Sequence, residues 1–433
     1  MKNNYQTNAT RAATVEVVVP DRVSIAMAEL AGTMREGLLA LAVGAGLQVM
    51  AALMDESVTA LAGPRGLHNS DRTAVRHGDE NGSVTLGGRR VAVRRPRVRT
   101  ADRAAEVAVP AYELFNSTEL LGELALEKMM AKLSTRRYSA GLEPVGSTVT
   151  EAASSTSRSA VSRRFVAMTE RALDEMMCSD LSTLELVALL IDGVHFANHL
   201  CAVALGVSID GTKIPLAVVE GDTENATVVK DLLVNLRERG LNMTRPILCV
   251  LDGAKALATA VNAVFDRPLI QRCQLHKIRN VQAKLPKALA STVATKMRAA
   301  YHDRDALQAE ATLEALARSL DKAHPGAAGS LREGLAETLT VNRLGMPPTL
   351  ARSLRSTNPI ESMIEICRDH STNVKRWQDG TMALRWCAAG MREAAKQFRR
   401  VNGHLHLAAL RVALDKHFEL DVTPECDNEK EAA

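Results

Sequence analysis

The fold is decided by residues 184–253, where LELVALLIDG (184–193), LCAVALGVSIDGTKIPLAVV (200–219) and ILCVLDG (247–253) are apolar, β-branched runs. Residues 184–191, 200–209 and 214–219 each have the length of one buried strand. The second and third are joined across Asp210-Gly211, a strong hairpin signal because both central turn positions favour positive φ. Periodicity then predicts a helix over 226–239, a strand over 247–251, a helix over 254–264 and a short strand over 269–273.

Three strands, helix, strand, helix, strand is the order of an RNase H-like α/β core, in which an antiparallel meander precedes alternating helices and strands of a mixed sheet. We assign residues 181–284 and 350–400 to that core. Residues 285–349, Ala- and Leu-rich with charged faces, form a helical insertion ended by Pro347-Pro348, and 401–433 form a C-terminal helix and a polar tail. Upstream, apolar residues at helical spacing (Met27, Leu30, Met34, Leu38, Leu41) predict one or two helices between 23 and 61. Residues 83–98 read as a hairpin turning at Gly87-Gly88, so 1–110 is a mostly helical region with a basic β-hairpin. Segment 111–180 reads as helix-turn-helix-like. A helix over 119–133 and a loop are followed by Ser157, which caps a helix over 158–177 carrying Arg158, Arg163 and Arg164. A plain amphipathic helix with a solvated basic face reads equally well there.

A chain of 433 residues is too long for one typical domain, and 46% hydrophobic residues suffice to fill real cores. Aromatics at 3% argue against a stacking platform for single strands. The polar N-terminus and the lack of a run near about eighteen uninterrupted apolar residues predict a cytoplasmic, nucleoid-associated protein. Seven scattered cysteines fit reduced thiols. A net charge of +4 is mild, so a nucleic-acid surface must come from clusters such as Arg89, Arg90, Arg94, Arg95 and Arg97.

Two aspartates close predicted strands, Asp192 before Gly193 and Asp252 before Gly253. One such pair is usually a turn. Two of them on strands that neighbour each other in this topology bring like charges together, a penalty that a divalent cation removes. Oxygen donors select hard ions, so Mg²⁺ is expected, with Mn²⁺ as substitute. Glu361, in the first turn of a helix opening at Pro359, is the candidate third ligand. Helix-dipole stabilisation explains a glutamate there just as well, and Glu220, Asp222, Glu224 and Glu365 are rivals. Three carboxylates around two metal ions make a phosphodiester-processing site: one ion activates water or a DNA 3′-hydroxyl, the other stabilises the leaving oxygen. Tyr5, Tyr112, Tyr138 and Tyr301 all fall outside the predicted core, which disfavours a tyrosine nucleophile. Cys273 and His276 lack a second pair at zinc spacing, so His276 is read as facing the cleft. Arg272, Lys277 and Arg279 beside it are candidate phosphate contacts, and a solvated basic turn reads almost as well.

On these residues the chain resembles the Mutator-like transposases of bacterial insertion sequences, the insertion sequence 256 group. The resemblance rests on LIDG (190–193), ALGV (204–207) with Asp210-Gly211, TEN (223–225), VLDGAK (250–255), RCQLHK (272–277) with Arg279-Asn280, and STNPIES (356–362). It implies a DDE transposase in which Asp192, Asp252 and Glu361 are catalytic metal ligands and Cys273 and His276 support the site. Its DNA partners would be the terminal inverted repeats of a mobile element and the target, and it would work as a homodimer or larger assembly. A tryptophan usual in the family's insertion is missing, the two here being Trp377 and Trp386. Two other readings share these residues: an RNase H-like nuclease or resolvase without strand transfer, and an inactive DNA-binding derivative.

Overall fold

The computed structural model describes residues 21–67, 71–221, 223 and 225–420. Residues 1–20, including Tyr5, the acidic Asp222 and Glu224, and the tail from 421 lie outside the described residues. The chain divides into two compact units, one of residues 1–124 and 138–161 and another of 125–137 and 162–433. The segment 111–180 is shared between the two.

In the first unit a helix α1 (Asp21–Ala62) accompanies a hairpin of β1 (Ala74–Leu86) and β2 (Arg89–Thr100), with β3 (Glu106–Val107) pairing on β2. The hairpin is longer than its sequence signal. Gly87 and Gly88 take φ of 55° and 75°, the two positive values that a tight two-residue turn demands. Met54 and Val58 of α1 are buried with Ala74, Val84 and Val98 of the hairpin. The opposite face leaves Met34, Leu38, Leu41 and Val49 exposed. By length and composition, Ala31–Ala62 is apolar enough to cross a bilayer, which the count of uninterrupted apolar residues did not register.

Four helices follow: α2 (Pro110–Asn116), α3 (Glu119–Met130), α4 (Ser147–Ala152) and α5 (Arg158–Cys178). Ser157 Oγ accepts from Ala160 N at 3.3 Å, the cap expected for α5. Between α3 and α5 stand a 3-10 turn (Tyr138–Gly141) and α4. That is far more than the three or four residues of a helix-turn-helix connection, so this expectation is corrected.

The second unit is built on a five-stranded mixed sheet of β4 (Leu186–Phe196), β5 (His199–Ser208), β6 (Lys213–Glu220), β7 (Ile247–Leu251) and β8 (Pro268–Arg272), in the order β6-β5-β4-β7-β8. The first three are antiparallel; β7 and β8 run parallel to β4. The β5–β6 turn differs in detail from its prediction. Gly211 has φ +88° but Asp210 does not take positive φ. Asp210 instead accepts from Thr212 N at 3.2 Å and Thr212 Oγ1 at 2.7 Å, fixing the turn with its side chain.

Alternation along the strands supplies two apolar faces. Leu189, Ile191, Cys249 and Leu251 pack with α6 (Ala226–Glu238) and α7 (Lys255–Val264) through Leu232, Leu233, Leu257 and Val261. Leu190, Val194, Leu248 and Val250 share the other core with residues of later helices, including Leu354, Ile360, Met363 and Cys387.

Those helices begin after an all-helical segment. It comprises α8 (Gln274–Gln282), α9 (Lys287–Tyr301), α10 (Ala306–Leu320), α11 (Pro325–Arg332), α12 (Leu335–Thr338) and α13 (Thr340–Arg343). Its own core runs from Ile278 through Met297 and Leu313 to Leu339. Then come α14 (Pro348–Leu354), α15 (Asn358–His370), α16 (Gly380–Gln397) and α17 (Leu407–Leu420). The buried Gln271 side chain stitches this segment to β8, donating to Thr338 O at 2.9 Å and accepting from Val341 N at 2.8 Å.

Candidate active site

The carboxyl ends of β4, β7 and β8 bring the predicted residues to one edge of the sheet. Ile191 pairs with Leu251, and Leu251 with Arg272. Asp192, Asp252 and Cys273 are therefore each the next residue along three adjacent parallel strands. This is where an open α/β sheet presents its crevice. One expectation needs correcting: Asp192 does not end its strand, because β4 continues to Phe196 on β5. What ends at Ile191 is the pairing with β7, so Asp192 is the first residue of β4 with one edge unpaired.

Local backbone fixes both aspartates. Gly193 N donates to Asp192 Oδ1 at 2.7 Å, and Ala254 N to Asp252 Oδ1 at 2.8 Å. Gly253, at φ +111°, turns β7 toward α7, and a Cβ there would lie 3.2 Å from Arg272 Cγ. The positive φ favours glycine, and the close Arg272 side chain would have to shift for any other residue.

Glu361 comes from α15, whose Ile360, Met363, Ile364 and Cys367 form the buried stripe that seats the helix. Its carboxylate is no plain helix cap. Oε1 accepts from Thr357 Oγ1 at 2.6 Å and lies 3.8 Å from His276 Nε2. Cys273 stands before α8 with Sγ accepting from His276 N at 3.5 Å and from Thr357 N at 3.4 Å. Thr357 Oγ1 is also 3.3 Å from His276 Nδ1. With its proton directed to Glu361, that hydroxyl can accept from the imidazole, which fixes the orientation of both neighbours. Thr357 is buried and was missed in the sequence because a threonine before a helix ordinarily reads as a cap.

The electrostatics join the two halves of the site. Burial, then the charge of Asp252 and, more weakly, Glu361 raise the Asp192 carboxyl from 3.8 to about 6, against the Gly193 hydrogen bond and His276. Both other carboxylates thus act on Asp192. Burial would raise the Cys273 thiol, but hydrogen bonds from His276 and Thr357 prevail and hold it below its ordinary value. The bond to Cys273, helped by the charges of Glu361 and Asp192, raises His276 despite its burial.

One donor atom each from Cys273, His276 and Glu361 lie within 4.8 Å of one another. Yet Cys273 is fully buried and its sulfur already accepts from the backbone N–H groups of His276 and Thr357, so a cation fits better against the carboxylate oxygens. The raised Asp192 carboxyl is consistent with this fit: burial, and less strongly the charges of Asp252 and Glu361, disfavour its ionised form, and a cation would reverse that.

Several predicted DNA contacts have other partners. Arg89 is buried, donating to Gly87 O at 2.9 Å and Glu143 O at 2.7 Å, and Arg90 is bound to Asn116, Ser83 and Thr85. Arg95 and Arg97 pair with Glu80 and Glu106. Arg272 is buried against Glu337, 3.1 Å away. Lys277 is buried with its Nζ on Ser330 O and Glu333 O, and burial lowers it to about 8. Arg89, Arg90 and Lys277 thus hold backbone carbonyls, and Arg95, Arg97 and Arg272 hold carboxylates. Arg94, Arg158, Arg163 and Arg279 are exposed, and Arg164 is half-buried.

Residues 29–401 match the family described as Transposase, Mutator family, and the chain belongs to that family. It is 27% identical over 370 residues to the transposase for insertion sequence element ISRM5 of Rhizobium meliloti, covering 84% of this chain and 89% of that protein. With the transposase for IS6120 of Mycolicibacterium smegmatis it shares 32% over 237 residues, 53% of this chain and 72% of the other. The transposase of IS256 in transposon Tn4001 of Staphylococcus aureus is 26% identical over 193 residues, 44% and 48% of the two chains.

Proposed function

We propose that the chain is a DDE transposase with an RNase H-like core, which binds the terminal inverted repeats of its element and carries out metal-dependent DNA strand cleavage and strand transfer. The observation that carries this is geometric: the β4–β7 register sets Asp192 beside Asp252 where their pairing ends, Cys273 follows on β8, and Glu361 at the start of α15 lies 3.8 Å from His276 just beyond it. The strand order and the mixed parallel and antiparallel pairing support the fold reading.

Asp192, Asp252 and Glu361 would hold Mg²⁺, or Mn²⁺ in its place. When bound, these ions supply Lewis-acid stabilisation of the attacking and leaving oxygens of an in-line displacement. The sheet edge fixes the two aspartates, and the Thr357 hydroxyl aims the Glu361 carboxylate. Exposed Arg94, Arg158, Arg163 and Arg279 are the residues we assign to backbone phosphates. The protein would act as a homodimer or larger assembly, since two DNA ends must be paired, and would work with the DNA in the cytoplasm.

The test incubates the protein with Mg²⁺, a pre-cleaved element end and a plasmid. Joined products are expected, and they disappear in Asp252→Asn and Glu361→Gln while end binding persists. Cleavage without joining would replace the reading by a nuclease or resolvase. End binding without either reaction would mark an inactive derivative.

A further inference from the structure

We propose that a cleft formed by α8, α9, α14 and the start of α15, the helix that carries Glu361, is a phosphate-binding site that holds the DNA backbone as it enters the reaction centre. The proposal rests on the transposase reading and adds a binding site to it. The cleft encloses about 240 Å³ and is lined by Arg298, His302, Arg352 and Arg355, and no carboxylate lines it. A neighbouring hollow of about 380 Å³ shares His302, Arg352 and Arg355 and adds Arg304 and one acid, Asp303. Among the described residues, no ion pair joins Arg298, Arg352 or Arg355 to an acid.

The cluster is oriented as well as charged. His302 Nδ1 lies 2.6 Å from Arg298 O, a carbonyl that can only accept, so Nδ1 carries the proton. Nε2 is then left with its lone pair, which accepts from Arg355 Nη2 at 3.0 Å. A neutral imidazole therefore steers the half-buried guanidinium without cancelling its charge. Burial and the nearby Arg352 both disfavour the charged form of Arg355. Cations gathered without counter-charge are unfavourable until an anion arrives. Chain connectivity sets the place: Arg355 and Ser356 precede Thr357, Gln274 follows Cys273, and Gln274 N donates to Arg355 O at 3.0 Å. A phosphate held here belongs to a strand already at the edge where Glu361 stands.

Fluorescence anisotropy with a labelled DNA duplex, in EDTA so that no chemistry occurs, tests the proposal across a salt series. Arg298 and Arg352 are exposed, so the double variant Arg298→Ala/Arg352→Ala should keep the fold. Its slope of log K against log salt should fall by about 0.9 for each phosphate no longer held, and double replacement by lysine should restore it. Arg355→Gln should show the same loss singly. Unchanged affinity and slope in both would overturn the site. So would stabilisation of the fold by inorganic phosphate with duplex binding untouched by the variants, since the cleft would then take free anions alone. Wild-type protein whose binding depends on these arginines but which never cleaves DNA would overturn the transposase reading and leave the cleft standing.

Discussion

Asp192→Asn should leave the metal-free protein more stable at neutral pH while abolishing DNA cleavage. The exchange keeps the shape, and the amide oxygen can still accept from Gly193 N at 2.7 Å. What it removes is a charge that the metal-free fold holds at a cost. A carboxyl raised from 3.8 to about 6 corresponds to about 3 kcal/mol against the ionised form at pH 7, and its partial exposure reduces this to about 2. Because the folded state keeps this proton longer than the unfolded one, the penalty is absent below about pH 3.8. It develops up to about pH 6 and is complete above that. Urea unfolding followed by tryptophan fluorescence suits the measurement, since Trp377 and Trp386 both belong to the unit that contains the site. In EDTA at pH 7 the variant should be more stable by about 1–2 kcal/mol, once the less favourable burial of an amide N–H is allowed for. The gap should close toward pH 4. Added Mg²⁺ should stabilise the wild type and do little for the variant, because a ligand that binds only the folded state raises its stability. A variant less stable than wild type in EDTA at pH 7, or Mg²⁺ stabilising both alike, would refute the placement of the ion.

Thr357→Val should lower strand cleavage by about tenfold or more and raise the Mg²⁺ concentration needed for half activity, with Thr357→Ser restoring both; equal loss in the two variants would reduce the hydroxyl to packing. Arg94→Ala should reduce the salt slope of DNA binding by about 1 without changing stability, whereas Arg89→Ala should lower stability by about 1–3 kcal/mol through the orphaned carbonyls of Gly87 and Glu143. Salt-titrated binding and urea unfolding on the same two proteins separate these effects, and an identical signature for both arginines would overturn the distinction.

Sequence by itself determined the strand order. The runs before Asp192 and Asp252 and around Gly206 are too apolar to lie anywhere but inside a sheet with two covered faces. It also put the two aspartates side by side, one residue past the last paired residues of β4 and β7, although only β7 ends there and β4 runs on to Phe196. Glu361 is different. Its spacing from the aspartates carries no geometric information, because a whole helical segment with its own core, Ile278 to Leu339, lies between them. Family resemblance named it, and the packing of α15 on the sheet brought it to the edge.

Tertiary structure alone decided which basic residues are exposed. In a one-dimensional reading Arg89 and Arg94, or Lys277 and Arg279, are interchangeable positive charges. Once folded, one of each pair is buried against backbone carbonyls and the other faces water. The Thr357 hydroxyl and the cleft of Arg298, Arg352 and Arg355 were hidden for the same reason. Each takes its meaning from groups distant in the chain, and local periodicity records which side of an element is apolar but not which other element will cover it.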